Sequence, residues 1–150
     1  MFQIKNLTKT YGKTTVVDDV SFTLEHNRCI ALIGPNGAGK TTTLRMLTGA
    51  VKRTNGVFIK TDQKEADIRN YIGYLPQEPT FYPWMTGIQF LTYCANIHEI
   101  SKEVAKERID EVLKQVDIYD ARNKRIGAYS GGMKQRLGIA MALINNPKLL

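Results

Sequence analysis

No stretch of this 150-residue chain approaches the roughly 18 consecutive apolar residues that a membrane-spanning helix needs. The expectation is a chain that does not cross a bilayer by itself. Met1 to Asn6 carries neither the basic segment nor the apolar segment of a secretion signal. Cysteine is scarce: Cys29 and Cys94 stand alone, without C-x-x-C spacing. That argues against a metal or redox pair and fits a reducing cytosolic setting. The 12 glycines and 5 prolines show no Gly-X-Y period, and no unit recurs along the chain. Collagen-like, low-complexity and solenoid architectures are therefore excluded. Acids are outnumbered, 14 against 21 Lys and Arg, for a net charge of +7. A basic surface suits nucleotide phosphates, anionic head groups or nucleic acid, or is simply a solvated face. Composition alone does not choose among these.

What is present has one domain's worth of length. Phe2 to Leu7 alternates apolar and polar residues, as a half-buried strand does. Thr8 to Lys13 reads as a turn around Tyr11-Gly12, and a second strand runs toward Leu24 through Val20 and Phe22. Cys29 to Ile33 is a continuous apolar run ended by glycines, the pattern of a fully buried central strand. A helix follows over Thr41 to Leu47, then short strands at Val57–Ile59 and Tyr71–Leu75. Beyond that, helices dominate. Thr86 can cap one from Gly87 to about Glu99, Ser101 a second bearing Ala105, Ile109, Val112, Leu113 and Val116, and Ser130 a third from Gly131 to about Asn145. The boundary between the strand-rich and helical parts is expected near Gln77–Met85. Lys148-Leu149-Leu150 reads as the start of a further buried strand.

Gly34-Pro35-Asn36-Gly37-Ala38-Gly39-Lys40-Thr41 fits the phosphate-binding pattern G-x-x-x-x-G-K-[ST]. Glycines let the backbone approach phosphate oxygens without a Cβ in the way. Successive N–H groups and the following helix N-terminus form an anion cradle. Lys40 would reach the β- and γ-phosphates, and Thr41 would offer its hydroxyl to Mg²⁺. The loop alone does not choose among GTPases, kinases and ATPases. Ser130-Gly131-Gly132 is a second anion-ready helix start, although by itself it is equally a well-capped helix.

Three motifs taken in order resolve the choice. The loop Gly34 to Thr42, the turn Leu75-Pro76-Gln77 and the helix start Tyr129-Ser130-Gly131-Gly132 resemble the ATP-binding cassette (ABC) family over essentially the whole chain. The resemblance implies an α/β P-loop NTPase fold, an ABC-type nucleotide-binding domain with an antiparallel β subdomain and an inserted α-helical subdomain. It divides the chain into an ATP-binding core (1–76), a Q-loop and helical subdomain (77–130), and a signature helix leading into the Walker B strand (130–150). It implies that Tyr11 stacks on adenine, that Thr42 lies near the α-phosphate, and that Gln77 is the Q-loop glutamine reaching Mg²⁺ or the attacking water. Ser130 and Gly132 match the signature, which closes in trans on the γ-phosphate held by a partner's P-loop.

Here Tyr129 and Met133 replace the leucine and glutamine of the commonest signature, an exporter-like bacterial variant, so a polar side chain is missing from the dimer seam. Phe81-Tyr82-Pro83-Trp84-Met85 is either packing between subdomains or the surface that receives a short permease helix. The family's Walker B Asp and Glu and its switch histidine have no counterpart here, and His26 and His98 lie too early for the last role. Residues 1–150 alone are therefore expected to bind nucleotide weakly, to be poorly stable and to lack normal turnover.

The implied function is the ATP-binding subunit of an ABC transporter, using ATP and Mg²⁺. Its implied partners are an integral membrane permease and a second ATP-binding subunit, in a homodimer or heterodimer. It would sit peripherally at the cytoplasmic face of the membrane and bind no nucleic acid. The competing readings are a soluble ABC ATPase acting on ribosomes or nucleic acid, and a nucleotide binder without hydrolysis.

Overall fold

A computed structural model describes residues 1–60 and 67–150. They divide into two compact units, Met1–Tyr71 and Ile72–Leu150.

The first unit is built on a three-stranded antiparallel sheet in the order β2-β1-β3. Its strands are β1 (Phe2–Tyr11), β2 (Thr14–Leu24) and β3 (Asn55–Lys60). The expected turn at Thr8 to Lys13 contracts to Gly12-Lys13, because Tyr11 pairs directly with Thr14 and Gly12 takes φ +58°. β1 is not a regular alternation either. Asn6 at φ +53° and Asp19 at φ +49° break the ladder, and Asn6 Nδ2 donates to Asp19 Oδ1 at 2.6 Å. This irregularity turns Leu7 onto the face already occupied by Phe2 and Ile4, so all three are buried. Met46 and Leu47 of helix α1 (Lys40–Leu47) are buried, as are Val17 of β2 and Phe58 of β3.

The run Cys29 to Ile33 departs from its expectation. It forms no strand, and Ile33 is 93% exposed. A buried strand needs ladder partners and a layer on each face. β1, β2 and β3 pair with one another, and no strand pairs with residues 29–33 among the described residues. Apolarity without those partners does not make a strand.

The second unit holds α2 (Gly87–Ile97), α3 (Lys102–Gln115) and α4 (Gly131–Leu143). Their starts are capped as expected. The hydroxyls of Thr86, Ser101 and Ser130 accept from the backbone N–H of Gln89, Val104 and Met133. α2 and α4 stop earlier than their composition allows, ahead of left-handed Glu99 and Asn146. Leu91, Val112, Leu113, Ile126 and Leu137 form the centre of the helical core. Instead of a strand over Tyr71–Leu75, a 3-10 turn ends at Tyr71 and Ile72 makes one parallel bridge to Leu149. The Gly73 N–H donates to the Leu149 carbonyl at 2.8 Å, so the C-terminal apolar run does begin to pair.

Candidate functional site

The phosphate loop belongs to the first unit and rests on β2 through Gly39. That residue is buried at φ +84°, and a Cβ there would come within 2.7 Å of the Val16 carbonyl oxygen. Only glycine meets both demands. Gly37 shares the same φ of +84° but faces open space, so its requirement is conformational only. The Ala38 N–H closes a turn onto the Pro35 carbonyl at 3.3 Å around Asn36-Gly37. Gly34 is accommodated with only ordinary contact to Ala38.

Lys40 opens α1, and its ammonium bends back over the loop. It donates to the carbonyls of Gly34 at 2.8 Å and Pro35 at 2.7 Å. The N-terminus of α1 has no side-chain cap and no acid in its first turn. Its positive end is therefore not neutralised by its own residues, as an anion site requires. Thr41 is exposed and Thr42 half-buried, whereas Thr43 is buried in the core. Of the three threonines, only those at 41 and 42 remain accessible.

Tyr11 stands at the tip of the β1–β2 hairpin, 50% exposed. The Lys9 ammonium lies 4.6 Å from its ring centroid and donates to the Lys52 carbonyl at 2.7 Å. A cation over the aromatic ring restrains the phenol. The motif pattern gave no sign of Lys9 in this role.

In the second unit Gln77 lies in an exposed bend. Its flanks are seated on α4. A Cβ on Gly138 would strike Leu75 at 2.7 Å, and one on Gly73 would overlap the Ala142 carbonyl. Gly138 in mid-helix is the sequence sign of this close approach. The segment carrying Gln77 and the helix carrying Ser130 are thus packed as one piece.

Ser130 caps α4 and is exposed. Gly131 and Gly132 have no strained φ, and a Cβ on either would meet nothing within 4 Å. Nothing inside the unit requires glycine there, which leaves a surface open to close approach from outside. The two departures from the commonest signature have internal explanations. Tyr129 is buried, its hydroxyl donates to the Ala121 carbonyl at 2.8 Å, and burial pushes its pKa up. Its ring end also occupies the space a Cβ on Gly87 would need. Met133 is half-buried and packs against the helical core.

The aromatic segment is split between burial and exposure within the helical unit. Phe81 and Met85 pack on the helical core, whereas Trp84 is 66% exposed. Tyr82 joins Trp84 and Tyr93 at ring-centroid distances of 5.3 and 5.8 Å. A hydrogen bond with the Tyr82 hydroxyl raises the Tyr93 pKa. The cysteines are both free. Cys29 is exposed, and burial pushes the Cys94 thiol up to about 11, so it stays protonated.

The family model described as "ABC transporter" matches residues 17–150. The ABC transporter ATP-binding protein YxlF of Bacillus subtilis (strain 168) is 50% identical over 150 residues, covering all of this chain and 50% of that protein. The lantibiotic transport ATP-binding protein SrtF of Streptococcus pyogenes is 37% identical over 152 residues, covering all of this chain and 64% of its own length. Among solved structures, an ATP-binding subunit of an ABC transporter superposes with a TM-score of 0.81 at 27% identity, over 97% of this chain and 62% of the other. CbiO1 of Clostridium perfringens, part of the transporter complex CbiONQ, gives a TM-score of 0.85 at 23% identity, over 99% and 63%, and shows the shared fold. The chain spans about half the length of the first curated relatives it matches.

Proposed function

The chain belongs to the ABC transporter family, and from that premise we propose that it is the ATP-binding subunit of an ABC transporter. In the complete domain it binds and hydrolyses Mg-ATP within a head-to-tail dimer and so drives transport through a separate membrane permease. The observation that carries this reading is the loop at 34–41, where the Lys40 ammonium lies over the loop carbonyls beside an uncapped helix N-terminus.

Each residue has a definite task in this reading. Backbone N–H groups of residues 37–41 cradle phosphate oxygens, and Lys40 neutralises the β- and γ-phosphates. Tyr11 offers the ring face away from Lys9 to adenine, and Thr42 lies near the α-phosphate. The exposed Thr41 hydroxyl and the Gln77 amide fit the oxygen donors that Mg²⁺ takes alongside phosphates and water. When bound, Mg²⁺ neutralises charge on the β- and γ-phosphoryl oxygens. The Ser130 hydroxyl and the open backbone at Gly132 face the γ-phosphate held by the partner subunit, so ATP joins the two subunits.

Tyr82, Trp84 and Tyr93 provide the aromatic surface for a permease helix. No helix among the described residues is long and apolar enough to cross a membrane. Attachment at the cytoplasmic face through the permease is the corresponding localisation. Residues 144–150 contain no acid, so the water-orienting carboxylate expected after the signature helix is not within this chain. Alone, residues 1–150 bind nucleotide without normal turnover.

The test uses the full-length protein and two variants. Lys40→Ala abolishes ATP binding, read by titration calorimetry, because it removes the charge partner of the phosphates. Ser130→Arg leaves ATP binding to the isolated subunit intact but blocks nucleotide-dependent dimerisation and turnover. Wild-type turnover in Ser130→Arg would refute the trans role of the signature.

A further inference from the structure

We propose that Arg136 is a positioning residue for the signature, holding the first turns of α4 in register against the C-terminal end of α3. The proposal rests on the reading of Ser130 and Gly132 as phosphate-facing groups.

A helix leaves its last carbonyls without internal partners and carries its negative end there. α3 ends at Gln115, followed by Val116 and by Asp117 at φ +56°. Arg136 of α4 reaches this end. Its Nη1 donates to the Asp117 carbonyl at 3.0 Å, to the Val116 carbonyl at 3.4 Å and to Asp117 Oδ2 at 2.6 Å.

At the opposite end of the pair the arrangement is reciprocal. Arg108 of α3 donates from Nη2 to the carbonyl of Leu143, the last residue of α4, at 2.9 Å. Its Nη1 is paired with Glu111 at 2.6 Å. The two antiparallel helices therefore cap one another's C-termini, each with an arginine from the other's interior.

The two arginines are alike in chemistry but not in place. Gly132 and Arg136 lie one turn apart on the same face of α4. With Ser130, Met133, Lys114 and Tyr119 they border one open recess of about 560 Å³. Arg108 acts on the far end of α4, where no signature residue lies. The Arg136–Asp117 ion pair is exposed, with Asp117 at 89%, so its charge attraction is largely screened. The carbonyl bonds are directional and tie this part of α4 to the end of α3. A group that must meet a phosphate across a subunit interface loses rate steeply when displaced by about an ångström.

The difference between the two ends supplies the experiment. Arg136→Gln, Arg136→Lys, Arg108→Gln and Asp117→Asn are made in the full-length protein. Thermal unfolding, ATP binding and steady-state turnover against ATP concentration are then measured. Both glutamine variants lower Tm. Arg136→Gln alone lowers kcat, by about tenfold or more, with the ATP dissociation constant within about twofold of wild type. Arg136→Lys recovers part of kcat, since an ammonium still reaches a carbonyl. Asp117→Asn keeps nearly all of it, since the carbonyl acceptors remain.

Wild-type kcat in Arg136→Gln, or an equal loss in Arg108→Gln, overturns the proposal and leaves both arginines as ordinary packing. If Arg136→Gln does not fold, Arg136→Lys decides: a folded lysine variant with kcat at the wild-type level overturns it, and a reduced kcat at unchanged ATP affinity supports it. Ser130→Arg, measured in parallel, separates the two readings. If that variant retains turnover, the signature reading fails and this proposal with it. If it is inactive while Arg136→Gln is normal, only the positioning role fails.

Discussion

Glycine is the residue whose meaning the structure separates most sharply. Gly39 is demanded by the fold, since its φ is left-handed and the Val16 carbonyl leaves no room for a Cβ. Gly39→Ala should cost about 1–3 kcal/mol of stability as well as nucleotide affinity. Gly132 is the opposite case: it sits in the first turn of α4 with ordinary φ and open space. Gly132→Ala should leave stability unchanged or raise it, by up to about 1 kcal/mol. If the proposed trans role of the signature holds, turnover should still fall, because a methyl group would then stand where a partner subunit's phosphate approaches. Chemical denaturation and steady-state ATPase assays on the two variants check this divergence. A Gly132→Ala protein with full turnover would mean that the open surface is not used. The pattern G-x-x-x-x-G-K-T identified the glycines of the loop, but it could not say which are held by packing and which by φ alone.

At the scale of the element, helix starts were the most legible features of the sequence. A hydroxyl that accepts a first-turn N–H acts over three residues, and all three expected caps form. They are not equal. Thr86 is half of a reciprocal capping box in which Gln89 Oε1 accepts from the Thr86 N–H at 2.9 Å. Ser101 makes a single, longer bond of 3.4 Å. Thr86→Ala should therefore cost about 1–2 kcal/mol and Ser101→Ala less, measured by urea unfolding followed by circular dichroism. Equal losses would show that the returning glutamine bond adds nothing. Strand ends were less legible, because they depend on partners far along the chain. The bulge at Asn6 and Asp19 needed both strands to be placed before it could be seen.

For the molecule as a whole, the run Cys29 to Ile33 matters most. Its composition is that of a buried strand, yet Ile30, Leu32 and Ile33 are exposed in this chain. An unpaired apolar segment invites association. The 150-residue chain should bind the dye ANS and self-associate with concentration, as read by sedimentation velocity. Replacing Ile30 and Ile33 together by lysine should reduce both effects. A monodisperse wild-type chain that leaves the dye dark would show the run to be covered.

What the sequence determined by itself was local in its physics. The phosphate loop, the helix caps, the apolar stripe of α3 and the signature helix start each depend on residues within a few positions of one another, and together they carry the family. Tertiary structure decided whatever depends on which distant segment lies alongside. Gly138 is small because Leu75 and Pro79 cross it. Tyr129 departs from leucine because the Ala121 carbonyl accepts its hydroxyl. Arg108 and Arg136 find the ends of each other's helices across 35 and 19–20 positions of chain. Hydrophobicity states that a segment is to be buried, but only the packed neighbours, each with its own backbone groups to satisfy, determine how.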